Sequence, residues 1–354
     1  MPRSDITALA LAVAVAAPAV AADLTVATWG GAYEAAQEAA IIAPFAARTE
    51  ISVETVPYAG GVAPVVDRAD PEGWDVVDML EDHALAACEA GALTRLDHAA
   101  LLGPDAAADF APAELGPCSV PQNVYALVAA FDDGAYPGVK PTRIEDFFDT
   151  AAFPGKRAIA RNPDGILEWA MLAEGVPPAQ VYDLLSTDRG LRLAFRRLDT
   201  IREHIVWWED AAEPARMLRD GEAAMASGYN GRFFAAAQEE GAPISIVWDG
   251  RLIGYSVWAI PAASQAPDAA RDFVAFATRP ESMARLAERI PYGPARQSAF
   301  DRIGLNPVTG TPMRPHLPNA PHYNARALVR DSVWSAHTAE LRRRRFEAWL
   351  AEGG

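Results

Sequence analysis

The 354-residue sequence predicts an α/β protein of two lobes, each a doubly wound sheet. Three observations carry that expectation. Short apolar runs alternate with helical patterns from residue 23 onward, and the alternation starts again after residue 150. Two longer apolar runs, 127–131 and 252–260, suit chain crossings between the lobes, so each lobe is expected to be discontinuous in sequence.

Taken in order, residues 1–22 read as a secretory leader. Arg3 supplies a positive start, residues 6–20 are apolar apart from Thr7 and Pro18, and Val20-Ala21-Ala22 offers the small residues of a cleavage site. The stretch is too short for a membrane span, which needs roughly 20 apolar residues. Cleavage after Ala22 would leave a chain that starts at Asp23, outside the cytoplasm.

DLTVATW (23–29) reads as a buried strand broken by Gly30-Gly31, with an Ala/Glu/Gln helix over 33–47 and an alternating strand, ISVETVPY, at 51–58. This strand–helix–strand unit predicts parallel pairing. WDVVDM (74–79) is a third strand. A helix over 83–90 stops at Gly91, and VYALVAAF (124–131) is another apolar run.

In the second half, a short helix at 144–148 precedes Phe153-Pro154-Gly155 and a strand at 157–160. Helices follow over 167–173, from Pro177-Pro178, and from Thr187, where Leu191, Ala194, Leu198 and Ile201 mark one apolar face. Strands are expected at 205–208, 222–227, 244–248 and 252–260. Helices are expected at 213–220, 232–239, 268–278 and 281–288, with a terminal helix over 325–350. Within that last helix, the run Arg342–Arg345 is expected to face solvent and pair with Glu340 and Glu347.

Composition narrows the function. At 51% hydrophobic residues the chain can bury a sizeable core. A net charge of −16 argues against nucleic-acid partners and mildly favours cationic solutes. Cys88 and Cys118 are expected to form a disulfide in an oxidising compartment, worth roughly 3–4 kcal/mol of loop-closure entropy. No phosphate loop, nucleophile elbow, dinucleotide-binding glycine pattern or HExxH stands in the sequence. The six histidines are scattered without metal-ligand spacing, so neither a metal nor a cofactor is expected.

Several segments, in order, resemble the substrate-binding proteins of polyamine-type ABC importers, the spermidine/putrescine family and its relatives for ω-amino acids. They are Thr28-Trp29-Gly30-Gly31-Ala32-Tyr33 with Pro44-Phe45; Phe153-Pro154-Gly155-Lys156-Arg157; Asp220-Gly221-Glu222-Ala223-Ala224-Met225 with Tyr229-Asn230-Gly231-Arg232; Trp258-Ala259-Ile260-Pro261; and Ile290-Pro291-Tyr292-Gly293-Pro294. The resemblance implies a two-lobed periplasmic-binding-protein fold of type II, with a ligand cleft between discontinuous lobes. Lobe 1 would comprise 23–129 and 254–310, and lobe 2 would comprise 130–253 and 311–354. It also implies a periplasmic monomer, not an enzyme, that presents a closed, ligand-bound form to an inner-membrane permease.

The candidate ligand contacts are Trp29, Gly30, Gly31, Tyr33, Glu81, Asp82, Tyr229, Asn230, Arg232, Tyr255, Ser256 and Tyr292. Aromatic faces and carboxylates suit an ammonium group. Gly30 and Gly31 would let backbone approach the ligand closely. The sequence departs from the polyamine pattern in placing Ser256 where an acid is expected and leaving only Asp164 acidic around 162–165. Arg232, in contrast, offers a fork for a carboxylate. That set suits a zwitterion such as γ-aminobutyrate better than a diamine such as putrescine or spermidine. An ion pair between Arg232 and Glu239 is the plainer alternative. An exported enzyme on the same scaffold and a receptor-linked sensory protein are the competing functions.

Overall fold

The computed structural model describes residues 23–67, 73–110, 112–320 and 325–352. The leader expected at 1–22 lies outside the described residues. Ten strands form one sheet: β1 (Leu24–Thr28), β2 (Val53–Pro57), β3 (Val76–Leu80), β4 (Ser119–Asp132), β5 (Arg157–Ala160), β6 (Ile205–Trp208), β7 (Met225–Tyr229), β8 (Ile244–Ala259), β9 (Gly293–Pro294) and β10 (Ala327–Val329). Their order is β2-β1-β3-β8-β4-β7-β5-β6, with β10 added on β8 and β9 on β4.

Two separate sheets were expected, but the ladder is continuous. Its spine is the antiparallel pair of β4 and β8, 14 and 16 residues long, which belong to both lobes. The strands expected at 244–248 and 252–260 are therefore one. Gly250, at φ 73°, lets β8 bend without ending, and a register shift between Leu127 and Ala129 takes up the twist opposite. On one side of this bend, β1 pairs in parallel with β2 and β3. On the other, β5 pairs in parallel with β6 and β7.

Separate cores fill the two halves. In the first, Trp258 is fully buried and packs edge-on against Phe273, which in turn meets Phe45. In the second, Trp169 and Phe147 lie at the centre. Arg157 is also fully buried there, and its guanidinium donates to the carbonyls of Phe147, Phe153 and Gly155. Three backbone acceptors thus satisfy a buried cation and lock the Phe153-Pro154-Gly155 turn.

The C-terminal segment differs from expectation at its start. Residues 327–329 pair in parallel with β8 instead of starting the helix, which runs Ser332–Glu352. Asp331 is the reason the helix starts late: its carboxylate accepts from the Trp334 N–H at 2.8 Å, a helix N-terminal cap. Met313, Leu317 and Ala320 share a buried apolar cluster with Phe234, Ala284, Ala287 and Ile303.

Cys88 and Cys118 are joined, with Cα atoms 5.8 Å apart, and fasten helix Glu81–Glu89 to the start of β4. Among the described residues, no helix is long and apolar enough to cross a membrane.

A cleft lined by aromatic rings and the Arg232 guanidinium

The parallel strands on both sides end at a common cleft with their carboxyl ends, the usual place for ligands in open α/β sheets. Trp29 follows β1, Asn162 and Asp164 follow β5, and Trp208 and Tyr229 close β6 and β7. The cleft encloses about 840 Å³, within the range of small-molecule sites.

The first-lobe wall carries Trp29, Tyr33 and Tyr58. Gly30 and Gly31 hold φ of 72° and 62°, values that side chains resist, and so turn the chain from β1 into the helix that carries Tyr33. Behind this wall lies Asp78 on β3, fully buried. One of its oxygens accepts from Tyr33 Oη at 2.7 Å and from Gln37 Nε2 at 2.6 Å. The other accepts from Trp29 Nε1 at 3.1 Å. Asn123 Nδ2 donates to Tyr33 Oη at 2.7 Å, and the Thr28 hydroxyl donates to Gln37 Oε1. Burial pushes the Asp78 carboxyl up to about 6, and its three donors hold it from rising further. Burial, then Asp78, raises the Tyr33 phenol well above its ordinary value.

The second-lobe wall carries Trp208, Tyr229, Arg232 and Asp164. Among the described residues Arg232 forms no ion pair, with Glu239 or any other acid. Its Nη1 would lie 4.0 Å from a Cβ placed on Gly31, so it faces the opposite wall at close quarters. Asp164 is half-exposed and bound to Arg342, a buried residue of the terminal helix. Burial would raise the Asp164 carboxyl, but Arg342 and Arg330 outweigh it and hold it below the usual range. Arg342 therefore departs from the solvent-facing run expected of it, because Trp334 lies under its guanidinium and Asp164 beside it. Arg343 does pair with Glu340 and Glu347.

The floor is made where β4 and β8 bend, by Tyr125, Leu127, Leu252 and Ser256 with Arg330. Arg330 donates to Asp82 at 3.0 Å and to Tyr125 Oη at 3.1 Å.

Of the residues singled out in the sequence, Trp29, Tyr33, Tyr229, Arg232, Ser256 and Tyr292 line the cleft together. Tyr33 and Tyr292 are 5.7 Å apart across its edge. Others stand elsewhere. Glu81, Asp82 and Tyr255 line a separate water-sized cavity of about 10 Å³ behind the floor, with Arg330 and Tyr125 shared between the two. Gly30 and Gly31 shape the turn, and Gly31 stands close to the Arg232 guanidinium. Asn230 is fully buried, and both ends of its amide are engaged. It accepts from the Ala126 N–H at 3.0 Å and donates to the Pro291 carbonyl at 2.6 Å, tying β7 to the Tyr292 loop.

Sequence reasoning missed Asp78, Tyr58, Tyr125 and Arg330. Asp78 left a signal, a carboxylate inside the apolar run WDVVDM. Arg330 left none, since its place depends on β10 joining β8 beyond a segment read as helix.

Residues 40–317 match the family of bacterial extracellular solute-binding proteins, and the chain belongs to that family. It is 36% identical to the gamma-aminobutyric acid-binding protein of Pseudomonas aeruginosa over 98% of this chain and 96% of that one. An ABC transporter substrate-binding protein of Bradyrhizobium japonicum superposes with a TM-score of 0.82, at 30% identity over 92% of this chain and 99% of the other. The Atu4243-GABA receptor superposes with a TM-score of 0.78, at 27% identity over 93% and 98%. The fold is that of the two-lobed binding proteins, and the chain is a solute-binding protein serving an ABC transporter, not an enzyme.

Proposed function

We propose that the cleft captures an ω-amino acid, γ-aminobutyrate or a near homologue, as a zwitterion in the periplasm and delivers it to an inner-membrane permease after the leader is cleaved at Ala22. The observation that carries this reading is the unpaired Arg232 guanidinium in an aromatic-lined cleft. A guanidinium without a protein carboxylate leaves its fork for a ligand carboxylate, and the aromatic faces suit an ammonium. A diamine fits less well. Arg232 repels one of its charges, and Asp164, the acid in the polyamine-type position, is already engaged by Arg342. The names of the relatives from P. aeruginosa and of the Atu4243-GABA receptor agree with this chemistry.

The lobes that close on the ligand are, in this reading, 23–129 with 254–310 and 130–253 with 311–354. Calorimetry on the mature chain tests the proposal: γ-aminobutyrate should bind more tightly than putrescine. Tighter binding of putrescine or spermidine would return the cleft to the polyamine class.

A further inference from the structure

Asp78 is a buried carboxylate without a counter-ion. It is fully buried, and no Lys, Arg or His among the described residues pairs with it. The groups around it are uncharged at neutral pH: Trp29 after β1, Tyr33 and Gln37 on the following helix, Tyr58 after β2, Gln122 and Asn123 on β4, Trp258 paired opposite it on β8, and Tyr292 in the late loop. Arg330 is already held by Asp82. A buried anion normally takes a cation or gives up its charge. Here the hydrogen-bond donors are the polar tips of Trp29 and Tyr33, whose rings line the cleft.

Resting on the zwitterion reading, we infer that Asp78 is the positioning residue and distant counter-charge of the ammonium subsite, so that the ligand lies with its ammonium against the first-lobe wall and its carboxylate toward Arg232.

The chemistry is consistent at each step. Trp29 Nε1–H and Tyr33 O–H are spent on one carboxylate, so neither can donate to the ligand and both rings are held with their π surfaces available. Donation to an anion also enriches those rings in electrons, which strengthens their attraction for a cation. A zwitterion oriented this way turns its carboxylate to Arg232 and its ammonium to the aromatic first-lobe wall.

The inference has a proton signature. With its carboxyl raised to about 6, Asp78 is partly protonated in the ligand-free protein near that pH. An ammonium nearby favours the ionised form, so binding must release a proton. Both ionisable groups of γ-aminobutyrate titrate outside pH 5–8, so the proton comes from the protein.

Calorimetry of γ-aminobutyrate binding to the mature chain, repeated at pH 6 in two buffers of different ionisation enthalpy, reads this release directly. The expected result is net release of a fraction of a proton at pH 6, none at pH 8, and affinity about tenfold weaker at pH 5 than at pH 8. Asp78→Asn should bind more weakly at pH 8 and lose both the release and the pH dependence. His83→Gln and Glu81→Gln should keep them. No proton release in the unmodified protein, or release that disappears in His83→Gln or Glu81→Gln, overturns the inference even if Asp78→Asn fails to fold. Absence of γ-aminobutyrate binding at every pH instead defeats the ligand assignment, which is a separate outcome.

Discussion

The two walls of the cleft are built on opposite plans. On the first-lobe wall Trp29, Tyr33 and Gln37 all turn their donors inward to Asp78, and Trp29, Tyr33 and Tyr58 present rings to the cleft. On the second-lobe wall a cation stands unpaired, with Arg232 facing across to Gly31. In the proposed function, one wall is finished before the ligand arrives, and the other is completed by it. The difference shows how such a cleft selects. The preorganised wall costs little to bind against, and the unpaired guanidinium makes a carboxylate the group whose loss is felt most.

The sharpest way to break that comparison is Arg232→Ala. If the second-lobe wall is completed by the ligand carboxylate, the substitution should weaken γ-aminobutyrate by about 2–5 kcal/mol, the usual cost of stranding one partner of a charge-assisted pair. Putrescine, which has no carboxylate, should be unaffected or improve. Equal losses for both would mean that Arg232 holds the wall together instead of reading the ligand.

The next effect concerns what keeps the first-lobe wall rigid. The Cys88–Cys118 bond anchors helix Glu81–Glu89, which starts directly after the strand that holds Asp78. Titration of the denatured, unreduced chain should find no free thiol. Replacing both cysteines by serine should lower unfolding free energy by roughly 3–4 kcal/mol, read from denaturant midpoints. Selectivity for γ-aminobutyrate over putrescine should survive at temperatures where the variant is folded. A shift in selectivity would show that the first-lobe wall depends on the crosslink.

How far these walls could be read from the sequence follows from what each depends on. Trp29, Tyr33 and Tyr229 were legible because strand ends and glycine breaks are local patterns, and strands in an α/β sheet deliver their carboxyl ends to one edge. Arg232 was legible for the same reason, one turn beyond β7. Asn230 shared that local pattern, yet its amide is consumed by Ala126 and Pro291, two partners that only the tertiary fold brings near. Glu81 and Asp82 sit at a strand end as expected. They are turned behind the floor because Arg330 arrives there from a tenth strand hidden in a helical-looking run. The continuous β4–β8 ladder escaped for a related reason: Gly250 reads locally as a break, and only pairing shows it to be a bend.

A smaller effect sharpens the aromatic side. Trp29 meets Tyr58 edge-on at 5.0 Å, and Gly60 lies against its ring, so the indole is held by contacts on two sides as well as by Asp78. Trp29→Ala should weaken γ-aminobutyrate by at least about 1.4 kcal/mol, or tenfold, and remove most of the ligand-induced change in tryptophan fluorescence. Unchanged affinity in a folded variant would reduce this wall to packing.

The smallest effect separates two carboxylates, Asp78 within β3 and Glu81 just beyond its end. Asp78 lies buried behind the first-lobe wall, whereas Glu81 faces the cavity behind the floor, where burial pushes its carboxyl up to about 7. Ser332 and Arg330 pull the other way, while Asp82 and Glu114 add to the rise. A carboxyl whose folded value lies above its unfolded value of about 4.5 binds protons more tightly when folded, so ionising it costs stability. That cost is absent below about pH 4.5, grows as pH rises toward 7 and is complete above it. Glu81→Gln removes the charge and keeps the shape. It should therefore raise unfolding free energy by on the order of 1 kcal/mol at pH 8 and leave it nearly unchanged at about pH 4, while ligand selectivity stays as it was. Thermal midpoints at the two pH values measure the difference. Because Glu81 lies behind the floor, a change in γ-aminobutyrate affinity larger than the change in stability would place it on the ligand side, and the division between the two carboxylates would fail.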